Sequence, residues 1–185
     1  MNERDILNLI ERDDTMMSTL RTAELLNLKD WIIGAGFVRN KVWNHLHGFT
    51  MTDDTADIDL VYFDPEGNTY TEDQLLSEKL SMQTGQTWEI VNEYYAHTWN
   101  NLLPFSSTED AIAHWTETAT AIGVTLRNNE LTLVAPHGID DLVHLIIRPT
   151  PTFIDRLSFI HERVTKKHWL TKWPKLRLST ELESR

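Results

Sequence analysis

The sequence predicts an α+β domain in which helices flank a mixed β-sheet and the C-terminal part is helical. Short apolar runs alternate early with segments of helical periodicity, and the later part of the chain carries more of the helical pattern. The 185 residues have a mass of 21.5 kDa, which suits a single domain. We expect this domain to span residues 1–185, with a core at about 25–150 and a basic helical segment at about 151–177.

The first part of the chain predicts three helices and one strand. They are a helix at 2–12, a helix at 18–28, a strand at 30–33 and a helix at 37–46. Ser18 is a candidate N-cap for the second helix. The strand stops at the turn Gly34-Ala35-Gly36, and Gly48 is a stop signal for the helix that follows.

The later elements continue this alternation. They are a strand at 57–63, a helix at 72–83, a strand at 87–91, a helix from 108 to about 122, a hairpin at 124–126 and 131–133, and helices at 140–147 and 153–167. Ser107 and Asp110 have the spacing of a capping box, which favours a helix start at this point.

Composition excludes several classes of protein. A net charge of −11 disfavours general binding of duplex DNA, because phosphate contacts need an excess of cations. The chain contains no cysteine, so disulfides, thiolate metal sites and cysteine nucleophiles are ruled out. No apolar run approaches the roughly 20 residues that span a bilayer, and the first thirty residues lack the apolar region of a secretory signal. We therefore expect a soluble, cytoplasmic protein without a membrane partner.

Acidic residues on two predicted strands suggest a metal site. Asp57 and Asp59 are two residues apart on one strand, so their side chains share a face and lie roughly 7 Å apart along the backbone. Converging carboxylates repel each other, and one pKa rises unless a cation neutralises them. Mg²⁺, a hard ion that prefers oxygen ligands, would do so. A solvated strand edge or a turn is the alternative interpretation of this short motif.

Glu89 is a third acid, and it interrupts an otherwise apolar strand. Such a residue is expected to pair with a cation or to ligate something; an ion pair with a buried Lys or Arg remains an alternative. Three carboxylates on neighbouring strands could hold one or two Mg²⁺ and a nucleoside triphosphate. The turn Gly34-Ala35-Gly36 would let the backbone approach phosphates at a helix N-terminus, and Arg39 would supply a nearby cation.

The combination of these motifs is more specific than any one of them. They are Gly34-Ala35-Gly36-Phe37-Val38-Arg39-Asn40, Asp57-Ile58-Asp59 and Trp88-Glu89-Ile90-Val91-Asn92. Together they resemble the polymerase-beta-like nucleotidyltransferase superfamily, and in particular a bacterial nucleotidyltransferase-like branch with a Gly-Ala-Gly-x-Val-Arg-Asn helix and an Asp-Ile-Asp strand. The resemblance covers about residues 25–177 and implies a nucleotidyltransferase-type mixed sheet.

The resemblance also implies an activity and the residues that serve it. The expected reaction is the Mg²⁺- or Mn²⁺-dependent transfer of a nucleoside monophosphate from an NTP to an acceptor. It implies catalytic and metal-binding roles for Asp57, Asp59 and Glu89. It implies nucleotide contacts from Gly34, Ala35, Gly36, Arg39 and Asn40, and a substrate loop that contains Asn92 and His97.

One departure from the superfamily pattern supports a second hypothesis. The usual Gly-Ser pair appears here as Ala35-Gly36, so a serine hydroxyl that would contact a phosphate or a metal is missing. The alternative is therefore a catalytically inactive protein of the same fold that binds a nucleotide or a protein.

The C-terminal segment has a charge opposite to that of the rest of the chain. Residues 163–177 contain six cations and no acid, which leaves −17 for the remainder of a chain whose net charge is −11. Interleaved with Trp169 and Trp173, these cations could bind RNA or could pair with the acidic body. We expect docking on the body, and hence a small-molecule or protein acceptor rather than a nucleic acid.

Overall fold

A computed structural model describes residues 1–50 and 57–179. Five strands form a mixed sheet in the order β3-β2-β1-β4-β5, and β6 and β7 form a separate pair. The strands are β1 (Ile32–Gly34), β2 (Ile58–Tyr62), β3 (Trp88–Asn92), β4 (Gly123–Arg127), β5 (Glu130–Val134), β6 (Ile146–Ile147) and β7 (Arg177–Leu178). The helices are α1 (Glu3–Glu11), α2 (Asp14–Leu25), α3 (Gly36–His47), α4 (Tyr70–Thr84), α5 (Thr108–Ala113), α6 (Asp140–Val143), α7 (Leu157–Lys166) and α8 (Trp169–Lys172). This architecture confirms the predicted α+β fold.

Strand register brings the two acidic strands side by side. β2 and β3 are parallel, and Asp59 is aligned with Glu89. β1 is antiparallel to β2, with Ile33 opposite Leu60, so the Gly34 end of β1 lies next to the start of β2. The acids and the turn after β1 therefore share one edge of the sheet.

The two faces of the sheet are packed differently. Ile33, Leu60 and Ile90 belong to the main apolar core, which also contains residues of α1–α4 and α7–α8. The other face carries a smaller apolar cluster built around Ile32 and Val61. Because side chains alternate along a strand, Asp59 lies on the same face as Val61. None of the helices in the described ranges is long and apolar enough to cross a membrane.

Two of the predicted helix boundaries are wrong. The cap of α2 is Asp13, whose carboxylate accepts hydrogen bonds from the amides of Thr15 and Met16, so Ser18 lies inside the helix. The residues predicted to continue α5 to about 122 form turns instead, although Ser107 does accept the expected bond from the Asp110 amide. The helix stops because the chain beyond Ala113 pairs with residues near 149, through a bridge between Glu117 and Pro149.

Two later helices are also shorter than predicted. α6 ends at Val143, because Leu145 has a positive φ of 60° and residues 146–147 pair with β7. α7 begins only at Leu157, since the chain from Pro151 to Phe153 forms a 3₁₀ turn.

Candidate active site

A cavity of about 360 Å³ lies at the sheet edge where β2 and β3 begin. Acids from the sheet line one part of it, namely Asp57, Asp59 and Glu89. Cations from the helices line another part, namely Arg39, Arg163, Lys167 and Lys172. The turn before α3 completes the wall with Ala35, Gly36 and Asn40, next to Trp169 and Trp173. The fold thus brings together residues that are more than a hundred positions apart in the chain.

Burial and neighbouring charges both act on the acids of the cavity. Asp59 is half-buried, whereas Asp57 and Glu89 are exposed. Burial raises the pKa of Asp59 to about 6, and the negative charges of Glu89 and Asp57 add to this effect. Arg39 and Lys167 oppose it, because their positive charges favour the ionised carboxylate. A cation bound next to Asp59 would therefore stabilise its ionised carboxylate.

The donor set has the chemistry of a hard-metal site. Carboxylate oxygens are the ligands that Mg²⁺ prefers, and Mg²⁺ is usually held by one or two carboxylates together with waters and substrate phosphates. Within the described residues, no group of three or more His, Asp or Glu side chains is placed so that it could hold a metal ion. The oxygen ligands fit Mg²⁺ or Mn²⁺ on condition that water or phosphate completes the coordination.

The start of α3 leaves backbone amides available at the cavity. Ala35 precedes the helix with φ 50° and ψ −119°, and no side chain in residues 1–50 or 57–179 caps the first turn. Uncapped amides at a helix N-terminus favour an anion. A methyl group built on Gly36 would lie 3.4 Å from Asn40 Nδ2, so there is space for a small side chain at this position.

Gly34 has a packing role in the structure. A methyl group on Gly34 would lie 2.8 Å from the ring of Trp115 and 3.0 Å from the carbonyl oxygen of Ile122. Gly34 is also absent from the residues that line the cavity. The glycine at this position allows an indole ring to lie against β1, whereas Ala35 and Gly36 reach the cavity.

Arg39 is buried and held in place on several sides. Its guanidinium carbon lies 4.3 Å from the ring centre of Trp169. One nitrogen donates to Thr120 Oγ1 at 2.7 Å, and another donates to Asn40 Oδ1 at 3.1 Å. Burial lowers its pKa to about 10, and Glu117 and Asp59 oppose this change. Among the residues that the structure describes, none accepts a hydrogen bond from the buried Nε. Arg39 therefore places a fixed positive charge beside the cavity.

The predicted substrate loop lies away from the cavity. Asn92 ends β3, at the opposite end of the strand from Glu89, and its side chain donates to the backbone oxygen of Asp64 at 2.7 Å. His97 packs edge-on against Phe105, with ring centres 6.1 Å apart. Neither residue lines the cavity. Asn92 anchors a turn, and the substrate role of Asn92 and His97 stays a prediction.

Sequence reasoning missed the contribution of the C-terminal helices. Arg163 donates from Nε to Glu117 Oε1 at 2.9 Å, and Glu117 is fully buried. The second oxygen of Glu117 accepts from Thr120 at 2.7 Å, and Thr120 in turn accepts from Arg39. The run of cations at 163–177 was the available signal, but its position on the cavity depends on long-range packing.

Comparisons with known proteins agree on one kind of fold. A family model described as nucleotidyltransferase matches residues 21–178. An NMR structure described as revealing a CCA-adding enzyme head domain has 33% sequence identity to the chain and a TM-score of 0.86, and the match covers 96% of both chains.

Two larger enzymes share the fold of this chain at low sequence identity. A CCA-adding enzyme in complex with CTP has 17% identity and a TM-score of 0.56, covering 97% of this chain and 43% of its own. The Thermotoga maritima CCA-adding enzyme in complex with tRNA has 17% identity and a TM-score of 0.57, covering 94% and 42%. The chain therefore spans about two fifths of the length of these enzymes. No curated protein gives a significant sequence match.

Proposed function

Because the chain belongs to a nucleotidyltransferase family, we propose that it transfers a nucleoside monophosphate from an NTP to an acceptor with the help of Mg²⁺ or Mn²⁺. One observation carries this proposal: three acids and four cations line the same cavity at an uncapped helix N-terminus. A metal-bound triphosphate needs both kinds of charge, since carboxylates hold the metal and cations hold the phosphates. The assignment to the bacterial Gly-Ala-Gly-x-Val-Arg-Asn branch stays a prediction.

In this proposal each acid has a defined task. Asp57, Asp59 and Glu89 would hold the metal together with water and phosphate oxygens, and the metal would supply positive charge that neutralises the reacting phosphate. Glu89 is exposed at the cavity and accepts the proton of the acceptor hydroxyl. The acceptor oxygen then forms a bond to the α-phosphorus while the bond to the leaving pyrophosphate breaks. Catalysis of this kind depends on positioning and on charge.

The nucleotide-binding residues follow from the same cavity. Backbone amides of the uncapped first turn of α3, beginning at Gly36, face the phosphates, and Asn40 and Arg39 flank them. The Ala35 amide donates to the carbonyl oxygen of Ile122 at 2.9 Å, so Ala35 contributes only the shape of the turn. Asn40 accepts a hydrogen bond from Arg39, so its amide nitrogen is oriented away from that bond. Gly34 supports this arrangement indirectly, because it admits the ring that packs against β1.

The acceptor is proposed to be a small molecule or a protein. The basic segment is part of the body, because Trp173 donates to Asn44 at 2.7 Å and Arg163 pairs with buried Glu117. Three of its six cations line the cavity, which leaves a weak outer surface for a long polyanion. The tRNA in the solved complex is bound by an enzyme more than twice as long as this chain.

A thermal-shift experiment tests whether the cavity binds metal and NTP together, and pyrophosphate release then tests the transfer. The wild type is heated with Mg²⁺ alone, with each of the four NTPs alone and with both, alongside D59N and the control variant E78Q. Glu78 is an exposed acid on α4 and does not line the cavity. We expect a rise in Tm that needs metal and NTP together in the wild type and in E78Q, and no such rise in D59N. An equal rise in D59N would contradict the proposal.

The inactive-protein hypothesis keeps one supporting observation, the glycine at position 36. The space at Gly36 allows the variant G36S, which supplies a hydroxyl at the start of α3. If the protein binds nucleotides without transferring them, NTP raises its Tm. Pyrophosphate is then not released when acceptors are added. Metal-dependent release of pyrophosphate by the wild type would reject this hypothesis.

A further inference from the structure

Trp115 packs on the same face of the sheet as Asp59, outside the candidate active site. We propose that Trp115 is a positioning residue for the transfer reaction, because its ring holds the turn Gly34-Ala35-Gly36 and Glu93 holds the ring. Neither Trp115 nor Glu93 lines the cavity, so both act through the turn. Their part in nucleotidyl transfer rests on the proposed function, whereas their hold on the turn is a property of the fold.

Strand register places Gly34 in one row of the sheet with two of the acids. The pairing of β1 with β2, continued by one residue, sets Gly34 opposite Asp59, and Asp59 is aligned with Glu89. Residues of one row share a face of the sheet, and on this face Trp115 packs against the smaller apolar cluster. A β-carbon on Gly34 would lie 2.8 Å from the ring of Trp115. The indole therefore occupies the place that a side chain would take beside Asp59.

The turn that follows Gly34 has a strained backbone. Ala35 has φ 50° and ψ −119°, a conformation that glycine adopts readily and other residues rarely adopt. Such a conformation persists only where the surrounding structure holds it. One support is the hydrogen bond from the Ala35 amide to the carbonyl oxygen of Ile122, at 2.9 Å. The ring of Trp115 against Gly34 is a second support, directly before the strained residue.

Trp115 is itself fixed at its backbone and at its ring. Its amide donates to the carbonyl oxygen of Ile112 at 3.0 Å, and its carbonyl oxygen accepts from the hydroxyl of buried Thr150 at 2.7 Å. Its indole nitrogen donates to Glu93 Oε1 at 3.3 Å. Because both ends are held, the ring has a defined orientation against β1, and the hydrogen bond to Glu93 sets that orientation.

Glu93 is buried at a cost to the stability of the fold. It is 5% exposed, and burial raises its pKa to about 7, although the hydrogen bond from Trp115 opposes this change. An acid with a raised pKa destabilises the folded protein when it is ionised. Perturbed acids of this kind are typical of functional sites. Since Glu93 does not reach the cavity, the orientation of Trp115 accounts for its presence.

Amide hydrogen exchange, measured for individual residues by NMR, tests the hold on the turn. W115F lacks the outer atoms of the indole and its N–H group, E93L lacks the acceptor, and E93Q keeps an acceptor oxygen. The matched control is W99F, which alters a tryptophan that is 60% exposed. We expect the Ala35 amide to exchange about tenfold faster in W115F and E93L, and within about twofold of the wild type in E93Q and W99F.

Nucleotide binding is measured on the same proteins. Each is titrated with Mg²⁺ and the α,β-methylene analogues of the four NTPs. W115F and E93L should bind the analogue that the wild type prefers about tenfold more weakly, because the amides at the start of α3 are no longer held in place. E93L should nevertheless unfold in urea at the same or a higher midpoint than the wild type at pH 7.5, because it removes a buried ionised group. A purely structural role for Glu93 would not separate binding from stability in this way.

The outcomes separate this inference from the proposed function. An unchanged Ala35 amide in W115F would overturn the inference. So would equal acceleration of the Ile58 amide, which donates to the carbonyl oxygen of Thr87 at 2.8 Å, because the variant would then loosen the whole sheet. Unchanged analogue binding in W115F, despite a faster Ala35 amide, would overturn the positioning role and leave the proposed function intact. A faster Ala35 amide in W115F, with no analogue bound by the wild type, would support the hold on the turn and reject the proposed function.

Discussion

Replacing Asp59 with Asn is expected to stabilise the metal-free protein at neutral pH. The pKa of Asp59 is raised to about 6 from the usual 3.8, so the folded state binds this proton more tightly than the unfolded state does. The ionised carboxylate therefore destabilises the fold. This effect is absent below about pH 4, develops between pH 4 and 6, and is complete above pH 6.

The size of the effect follows from the two pKa values. A tenfold change in proton affinity corresponds to about 1.36 kcal/mol, so the difference between 3.8 and about 6 sets an upper limit of about 3 kcal/mol. Asp59 is half-buried in a cavity that opens to solvent, and solvent screening reduces the value. We expect D59N to gain about 1–2 kcal/mol in free energy of unfolding at pH 7.5.

Urea denaturation of the wild type and D59N at several pH values measures this gain. The two proteins should unfold at the same urea concentration at pH 4, and D59N should be more stable at pH 7.5. Saturating Mg²⁺ together with an NTP should stabilise the wild type but not D59N and thereby reduce or reverse the difference at pH 7.5. A loss of stability in D59N at pH 7.5, or an equal gain at both pH values, would refute the reasoning, because Asp59 would then have a structural partner.

Three further substitutions test other parts of the account. In urea denaturation, G34A should lose about 1–3 kcal/mol of its free energy of unfolding, because the added methyl group would lie 2.8 Å from a tryptophan ring. G36A should lose less than about 1 kcal/mol. Equal losses in the two variants would contradict the packing role of Gly34. E117Q should lose about 3 kcal/mol of its free energy of unfolding in urea, since Gln leaves Arg163 without its buried counter-charge. An unchanged urea midpoint would show that the ion pair does not stabilise the fold. Burial raises the pKa of Glu93 to about 7, so its ionised form destabilises the folded protein at high pH. In thermal unfolding, E93Q should therefore be more stable than the wild type above pH 7 and equally stable below pH 4.5. A difference that does not change with pH would contradict a buried Glu93 that titrates.

Local patterns in the sequence were sufficient to predict most of the sheet. β2 and β3 follow from short apolar runs, and the β4–β5 hairpin follows from two apolar runs around Asn128 and Asn129. Both asparagines have the positive φ that such a turn requires. Helix ends were harder to predict, because the carboxylate of Asp13 competed with the hydroxyl of Ser18 for the role of N-cap.

The acids of the candidate site could be predicted from the sequence, whereas the lysines that share the cavity could not. Asp59 and Glu89 lie at aligned positions of the neighbouring strands β2 and β3, and Asp57 directly precedes β2, so the strand pattern predicts that these acids share one edge of the sheet. Lys167 and Lys172 reach the same cavity through packing of the C-terminal helices on α3, which no local pattern encodes. Their helical periodicity indicated only a basic segment that docks somewhere on an acidic body.

The most direct test of the proposed metal site is a Mn²⁺ titration followed by electron paramagnetic resonance. Free Mn²⁺ is measured with wild type, E89Q and the control E78Q, each in the presence of a non-hydrolysable NTP analogue. We expect wild type and E78Q to bind Mn²⁺ with equal affinity and E89Q to bind it at least tenfold more weakly. Equal Mn²⁺ binding by all three proteins would contradict a metal site that includes Glu89.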